Sequence, residues 1–195
     1  MRSDDIYELP AGLPVPEDDG AARHLRGRNL PSIALPGTKG SRVDVADLGK
    51  KERAVLYIYP RTGQPDQPSL PGWDDIPGAR GCTPQSCAFR DYYAQLRGLG
   101  AEVFGISTQP TGEQREFAAR VHLPYELLSD AELELARALR LPTFQVAGII
   151  LLKRLTLIVR GGIIEDVFYP VFPPDRNAAE VVRWLEANPS RVASQ

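Results

Sequence analysis

The run AVLYIYP, residues 54–60, restricts the fold more than any other part of this sequence. It is almost continuously apolar and rich in β-forming residues, as expected of a central strand covered on both faces. Such a strand needs a layer of structure above it and another below. AEVFGIST, residues 101–108, has the same character and reads as a second buried strand.

The flanking segments supply those layers. LPSIALPG (30–37) reads as a short strand, and RVDVADL (42–48) as a strand running into a turn. A helix is expected from the two cysteines through about Arg97, closed by Gly98 and Gly100. Thr111 to Gln114 has capping-box form and opens a helix through about Val121. ELLSD (126–130) gives a short strand, followed by a helix from about Ala131 to Leu139. KRLTLIV and IIEDVFY make a hairpin around Arg160-Gly161-Gly162. Asn177 to Glu180 is a second capping-box candidate and starts the last helix. Strands alternating with helices, finishing in a hairpin and a helix, predict an α/β layered domain.

Residues 1–29 carry no apolar periodicity and read as an extended arm, 30–188 as the domain, and 189–195 as a tail. Within the domain, Pro60–Gly81 holds five prolines and four glycines among 22 positions, which interrupts regular structure. A loop of that length inside a compact domain is usually a functional element or a disordered one.

Bulk properties remove several classes of function. A formal net charge of −2 over 195 residues gives no electrostatic case for nucleic acid or an anionic membrane. The longest apolar run, AGIILL (147–152), is cut by Lys153 and Arg154, far short of a membrane span. The acidic, proline-bearing start has no apolar signal-peptide core, so the expected compartment is the cytoplasm, where thiols stay reduced.

Both cysteines of the chain, Cys82 and Cys87, lie in GARGCTPQSCAFRD (78–91). Two cysteines cannot build a disulfide framework, and a close pair in a reducing compartment points to catalysis, redox chemistry or metal binding. A tetrahedral zinc site needs four ligands, and His24 and His122 lie at no useful spacing from the pair. Pro84 fits the first helical position with Thr83 as N-cap, which puts Cys82 at the positive end of the helix dipole. A thiol there is favoured as the nucleophilic thiolate. Cys87, one and a half turns further in, is expected to be partly buried and less acidic. In a continuous helix, residues i and i+5 have Cα atoms about 8–9 Å apart. A disulfide needs about 4.4–6.8 Å, so the two sulfurs can join only if the first turn unwinds. The plainer alternative is that both are inert small core residues.

GCTPQSCAFRD resembles the active-site segment of the peroxiredoxin Q group, also called bacterioferritin comigratory proteins, within the alkyl hydroperoxide reductase/thiol-specific antioxidant family. VLYIYP, VFGIST, HLPYELLSD and VFYPVFPPDRNAAEVVRWL match further segments of that group in order, from about Leu30 to Leu185. The resemblance implies a thioredoxin-like fold with peroxiredoxin additions, an N-terminal hairpin and a central mixed sheet flanked by helices. It implies reduction of hydrogen peroxide and organic hydroperoxides by an atypical two-cysteine mechanism. Cys82 would be oxidised to sulfenic acid and Cys87 would resolve it to an intramolecular disulfide. Thioredoxin or glutaredoxin would reduce that disulfide, with no cofactor or metal, in a monomer or a homodimer. The family's Arg-x-Thr-aromatic pattern falls on Arg154 and Thr156, with Leu157 in place of the aromatic; Arg154 would favour the thiolate and hold the peroxide. Arg90 reads instead as a structural helix residue.

Two departures accompany the match. The family's proline and threonine, counted back from Cys82, fall on Asp75 and Ala79. With residues 61–81 taken as an insertion, Pro60 becomes the family proline and Thr62 the candidate hydroxyl. RLPTFQVAGIIL also replaces the glycine-, tryptophan- and lysine-bearing stretch of the group, while Trp73 sits in the inserted loop, free to cover the active-site mouth or to anchor the loop. Rival readings are a protein thiol–disulfide oxidoreductase, which expects a Cys-x-x-Cys absent here, and a non-catalytic thioredoxin-like binding module.

Overall fold

A computed structural model describes residues 7–65 and 67–189. Residues 1–6 of the expected arm, Asp66 of the loop, and 190–195 of the expected tail lie outside the described residues. The described residues form a five-stranded mixed sheet, two small hairpins and five α-helices.

The N-terminal hairpin pairs β1 (Ala34–Pro36) with β2 (Arg42–Asp44). The main sheet runs in the order β5 (Glu126–Ser129), β4 (Ala101–Ser107), β3 (Arg53–Ile58), β8 (Leu155–Arg160), β9 (Ile163–Phe168). β3, β4 and β5 are parallel, β8 joins antiparallel to β3, and β9 antiparallel to β8. This is the thioredoxin-like mixed sheet that the strand alternation and the resemblance implied.

Every residue of β3 is buried, as its composition demands. Successive side chains of a strand point to opposite faces. Ala54, Leu56 and Ile58 therefore enter one core, and Val55, Tyr57 and Tyr59 the other. The second core is closed by α1 (Cys82–Asp91), α2 (Tyr93–Gly98), α3 (Thr111–Arg120) and α5 (Asn177–Ala187), through Phe89, Leu96, Phe117 and Val181. The first is closed by α4 (Glu134–Leu139), the N-terminal hairpin, and Ala22 and Leu25 of the N-terminal segment. The expected arm is therefore not extended. Its described part is a chain of turns, and Leu25 is fully buried.

Three expected caps are corrected. The N-cap of α1 is Gly81 rather than Thr83, that of α3 is Pro110 rather than Thr111, and that of α5 is Arg176 rather than Asn177. None makes a side-chain capping bond, since glycine, proline and arginine offer no acceptor, and two residues of the expected capping boxes have tertiary partners instead. Gln114 donates to Ser107 Oγ and Leu128 O, and Asn177 Oδ1 accepts from Gln85 and Thr156. The long first helix also divides at Tyr92, and the fourth starts at Glu134 rather than Ala131. The atypical stretch after Leu139 forms a hairpin of β6 (Thr143–Val146) and β7 (Ile149–Leu152). Ala147 and Gly148 turn between them, both at positive φ.

The hairpin anchors the proline-rich loop. Trp73 lies at the start of a short 3₁₀ turn, Trp73–Asp75, and packs its ring 6.2 Å from that of Phe144. With Ala79, Val146 and Leu151 it forms a small separate core, against which Leu70 and Ile76 rest. An Arg80–Asp74 ion pair at 2.9 Å ties the loop's end to that turn. Of the two roles open to Trp73, the structure shows the anchoring one. Among the described residues, no helix is long and apolar enough to cross a membrane.

Candidate active site

Helix α1 begins at Cys82, two residues earlier than Pro84 suggested. Gly81 precedes it at φ 100, a conformation open to glycine at no steric cost. A Cβ there would also strike Pro174 and Leu9, so backbone and packing both require glycine at this corner. The turn leaves Cys82 at the positive end of the helix dipole, only 2% exposed.

Arg154 lies at the junction of β7 and β8. Alternation along β8 sends Leu155 and Leu157 into the first core, and Thr156 and Ile158 toward α1 and α5. Arg154 shares that second side. Its Nη2 donates to Cys82 Sγ at 3.1 Å, and to the carbonyl oxygens of Ala79 and Arg80, each at 3.1 Å. Its Nη1 donates to Gln85 Oε1. The guanidinium is 3% exposed, so it sits beside the sulfur almost without water between them. A thiolate at Cys82 thus has a positive charge at hydrogen-bond distance and the helix terminus behind it, the surroundings that favour sulfur as a nucleophile.

The support continues inward. Gln85 Nε2 donates to Asn177 Oδ1 at 3.0 Å, and Thr156 Oγ1 donates to the same atom at 2.7 Å. Gln85, Asn177 and Thr156 are fully buried, so a continuous polar chain runs from Arg154 into the base of α5. Sequence reasoning missed Gln85 and read Asn177 as a cap. The available signal was the spacing of Cys82 and Gln85, three apart on one helix, which brings them to a common face.

Cys87 is half-buried in the same helix, and both thiols are free. Burial pushes its pKa above the ordinary thiol value, with Arg90 opposing. Between the two cysteines, Ser86 is held from below. Tyr57 OH donates to Ser86 Oγ at 3.1 Å, and Tyr125 OH donates to Ser86 O at 2.8 Å. Arg90 donates to Asp91 and to Val121 O, consistent with a structural role.

Pro60 is buried just beyond β3. The backbone N–H and hydroxyl of Thr62 both donate to Gln109 Oε1, at 2.8 and 3.0 Å. These bonds fix the start of the loop, whereas Cys82 and Arg154 meet at its far end. The structure thus brings Cys82, Arg154 and Gln85 together and spends Thr62 on Gln109. Among the described residues, no cluster of three or more metal-ligating side chains occurs.

A thioredoxin-like sheet presenting a thiol at a helix N-terminus, against a buried arginine, defines a redoxin; the redoxin family model matches residues 25–182, and the chain belongs to that family. Within it, the chain is a peroxiredoxin of the peroxiredoxin Q, or bacterioferritin comigratory protein, group. It is 28% identical over 187 residues to the chloroplastic peroxiredoxin Q of Gentiana triflora, covering 93% of this chain and 78% of that protein. The Arabidopsis thaliana counterpart is 29% identical over 166 residues, covering 85% and 69%. The crystal structure of peroxidoxin BcpB from Mycobacterium tuberculosis matches at a TM-score of 0.69 and 27% identity, covering 85% of this chain and 98% of that one. Peroxiredoxin Q of Xylella fastidiosa matches at a TM-score of 0.68 and 20% identity over 85% and 97%, a likeness of fold.

Proposed function

We propose that this enzyme reduces hydrogen peroxide and organic hydroperoxides through Cys82, with Cys87 as the resolving thiol and a thioredoxin or glutaredoxin as reductant. The observation that carries the reading is the 3.1 Å contact between Arg154 Nη2 and Cys82 Sγ at a helix N-terminus.

In the first step the Cys82 sulfur attacks the terminal oxygen of ROOH. An S–O bond forms, the O–O bond breaks, and the sulfur loses two electrons to the peroxide. Overall, thiol plus ROOH gives sulfenic acid plus ROH, so the thiol's proton ends on the leaving oxygen or the sulfenate. Arg154 balances the negative charge that moves from sulfur onto oxygen during transfer. In the second step Cys87 sulfur attacks the sulfenic sulfur, forming the disulfide and releasing water. Both cysteines lie within α1, so their Cα atoms stand about 8–9 Å apart and the first turn must unwind for that bond. An external dithiol then restores both thiols by exchange and leaves oxidised. Pro60 and Thr62 serve in supporting positions, holding the loop whose far end supplies the Ala79 and Arg80 carbonyls to Arg154.

The test is peroxide consumption with a thioredoxin system and, separately, with dithiothreitol. Cys82→Ser is expected to lose turnover. Cys87→Ser is expected to consume one equivalent and stall until an external thiol is added. Full steady-state turnover in Cys82→Ser sinks the assignment. A protein disulfide reductase would instead reduce insulin, which this protein is expected not to do.

A further inference from the structure

The redoxin match begins at residue 25, yet residues further upstream reach the active site. Arg154 forms part of the wall of a cavity of about 500 Å³. Val15 and Pro16 of the N-terminal segment also line it, with Ile76, Phe144 and Tyr169. The upstream segment and the proline-rich loop thus meet there.

The segment is fastened in place. Asp19 accepts from Lys153 Nζ at 2.6 Å and from Tyr169 OH at 2.8 Å. Lys153 is the residue before Arg154, so the clasp lands beside the catalytic arginine. Those bonds hold the Asp19 carboxyl down at about 2, so it is ionised throughout the working pH range. Pro16 packs toward Gly78, where a Cβ would stand 3.4 Å from the proline ring. Val15 at the rim is 64% exposed, an apolar side chain facing solvent at the cavity mouth.

Hydrogen peroxide has no use for such a space. Its two oxygens need roughly the room of one or two waters, at about 30 Å³ each. A cavity of about 500 Å³ falls within the range that holds a small organic ligand. Its wall is more apolar than polar, and its charged groups sum to zero: Asp19 neutralises Lys153, and Glu17 and Arg154 add one charge of each sign. A wall with no net charge and a larger apolar share suits a neutral organic group better than one carrying a carboxylate of its own.

We infer that the N-terminal segment Val15–Asp19 is a substrate-selecting element, which with Ile76, Phe144 and Tyr169 forms a subsite for the neutral organic group of a hydroperoxide beside Arg154. The inference rests on the peroxidase reading above and gives it a substrate class. Binding energy won by the organic group is then available to position the peroxide against the arginine.

Two measurements on the full chain test it. The first is the ratio of kcat/KM for cumene hydroperoxide to that for hydrogen peroxide, with dithiothreitol as reductant. Val15→Asp, which adds charge at an exposed rim position, and Asp19→Ala, which opens the clasp, are each expected to lower the ratio tenfold or more. The second is calorimetric binding of cumyl alcohol, the product, to the Cys82→Ser protein, which Val15→Asp is expected to weaken. An unchanged ratio in both variants, or no binding of the alcohol, overturns the subsite and leaves the peroxidase reading standing if hydrogen peroxide is still consumed through Cys82. Alcohol binding to Cys82→Ser together with no consumption of either peroxide by the unsubstituted protein overturns the peroxidase reading, and with it the hydroperoxide as occupant.

Discussion

Helix α1 is held by different forces at its two ends. Its first turn is fastened by polar contacts: Cys82 and Gln85 on Arg154, and Gln85 on Asn177. Its second half is fastened by packing: Phe89 is fully buried and stacks on Tyr57 with ring centroids 4.6 Å apart. Hydrogen bonds can be exchanged for others at small net cost, whereas emptying a packed core site costs several kcal/mol. The turn that must unwind for a Cys82–Cys87 bond is thus the one whose attachments are replaceable. Ser86 marks the border, gripped from below by Tyr57 and Tyr125.

That contrast can be broken or sharpened by substitution. The largest effect is expected from Phe89→Ala, which removes the packed anchor and costs about 3–5 kcal/mol of stability, read by urea denaturation. A loss below 1 kcal/mol means the second half is not held by packing. Next, Arg154→Ala is expected to slow Cys82 oxidation about 10²–10³-fold in stopped-flow measurements, as loss of a charge-stabilising donor does elsewhere. Its effect on the rate of the later crosslinking step should be much smaller.

A pH profile separates the two halves of the helix directly. Burial raises the Cys87 pKa above the ordinary thiol value of 9.0. A raised thiol pKa means less thiolate at any given pH, so the proposed resolution by Cys87 is expected to be slow at neutrality and to gain up to tenfold per pH unit. If the second half stays folded while the first turn opens, the crosslinking rate is expected still to be climbing at pH 9.0. A plateau below that value shows Cys87 leaving its burial before it reacts. The smallest effect is expected from Tyr125→Phe, which removes the donor to Ser86 O. A stability loss of about 1 kcal/mol and faster crosslinking place Ser86 at the border; slower crosslinking puts the border elsewhere.

The sheet was legible because apolar runs of strand length have few other destinations. Ala54–Pro60 needed two covered faces, and the structure covers both. Cys82, Cys87 and Arg154 were legible because thiols are scarce and the arginine pattern is distinctive, and the structure puts Cys82 and Arg154 in contact. Asn177 and Gln114 misled for one physical reason. A capping residue and a buried hydrogen-bonding residue have the same composition signal, and in a folded core tertiary partners win, as Asn177 and Gln114 show. The β6–β7 hairpin was hidden inside an apolar stretch whose turn, Ala147-Gly148, carries only one glycine to announce it. The N-terminal segment was illegible because Ala22 and Leu25 are isolated apolar residues with no periodicity around them. The hydroxyl of Thr62, read as the candidate across the insertion, donates to Gln109.

A single guanidinium group grips both the sulfur of Cys82 and two carbonyl groups near the end of the proline-rich loop, at Ala79 and Arg80. Oxidising the sulfur and opening the turn withdraws two of its ligands at once, leaving the loop's terminus to share a cation with nothing on the helix side. Protease digestion of the reduced and oxidised forms should then yield different cleavage fingerprints near Arg80, so that this segment announces the electron count of the thiol pair to anything outside that can touch it.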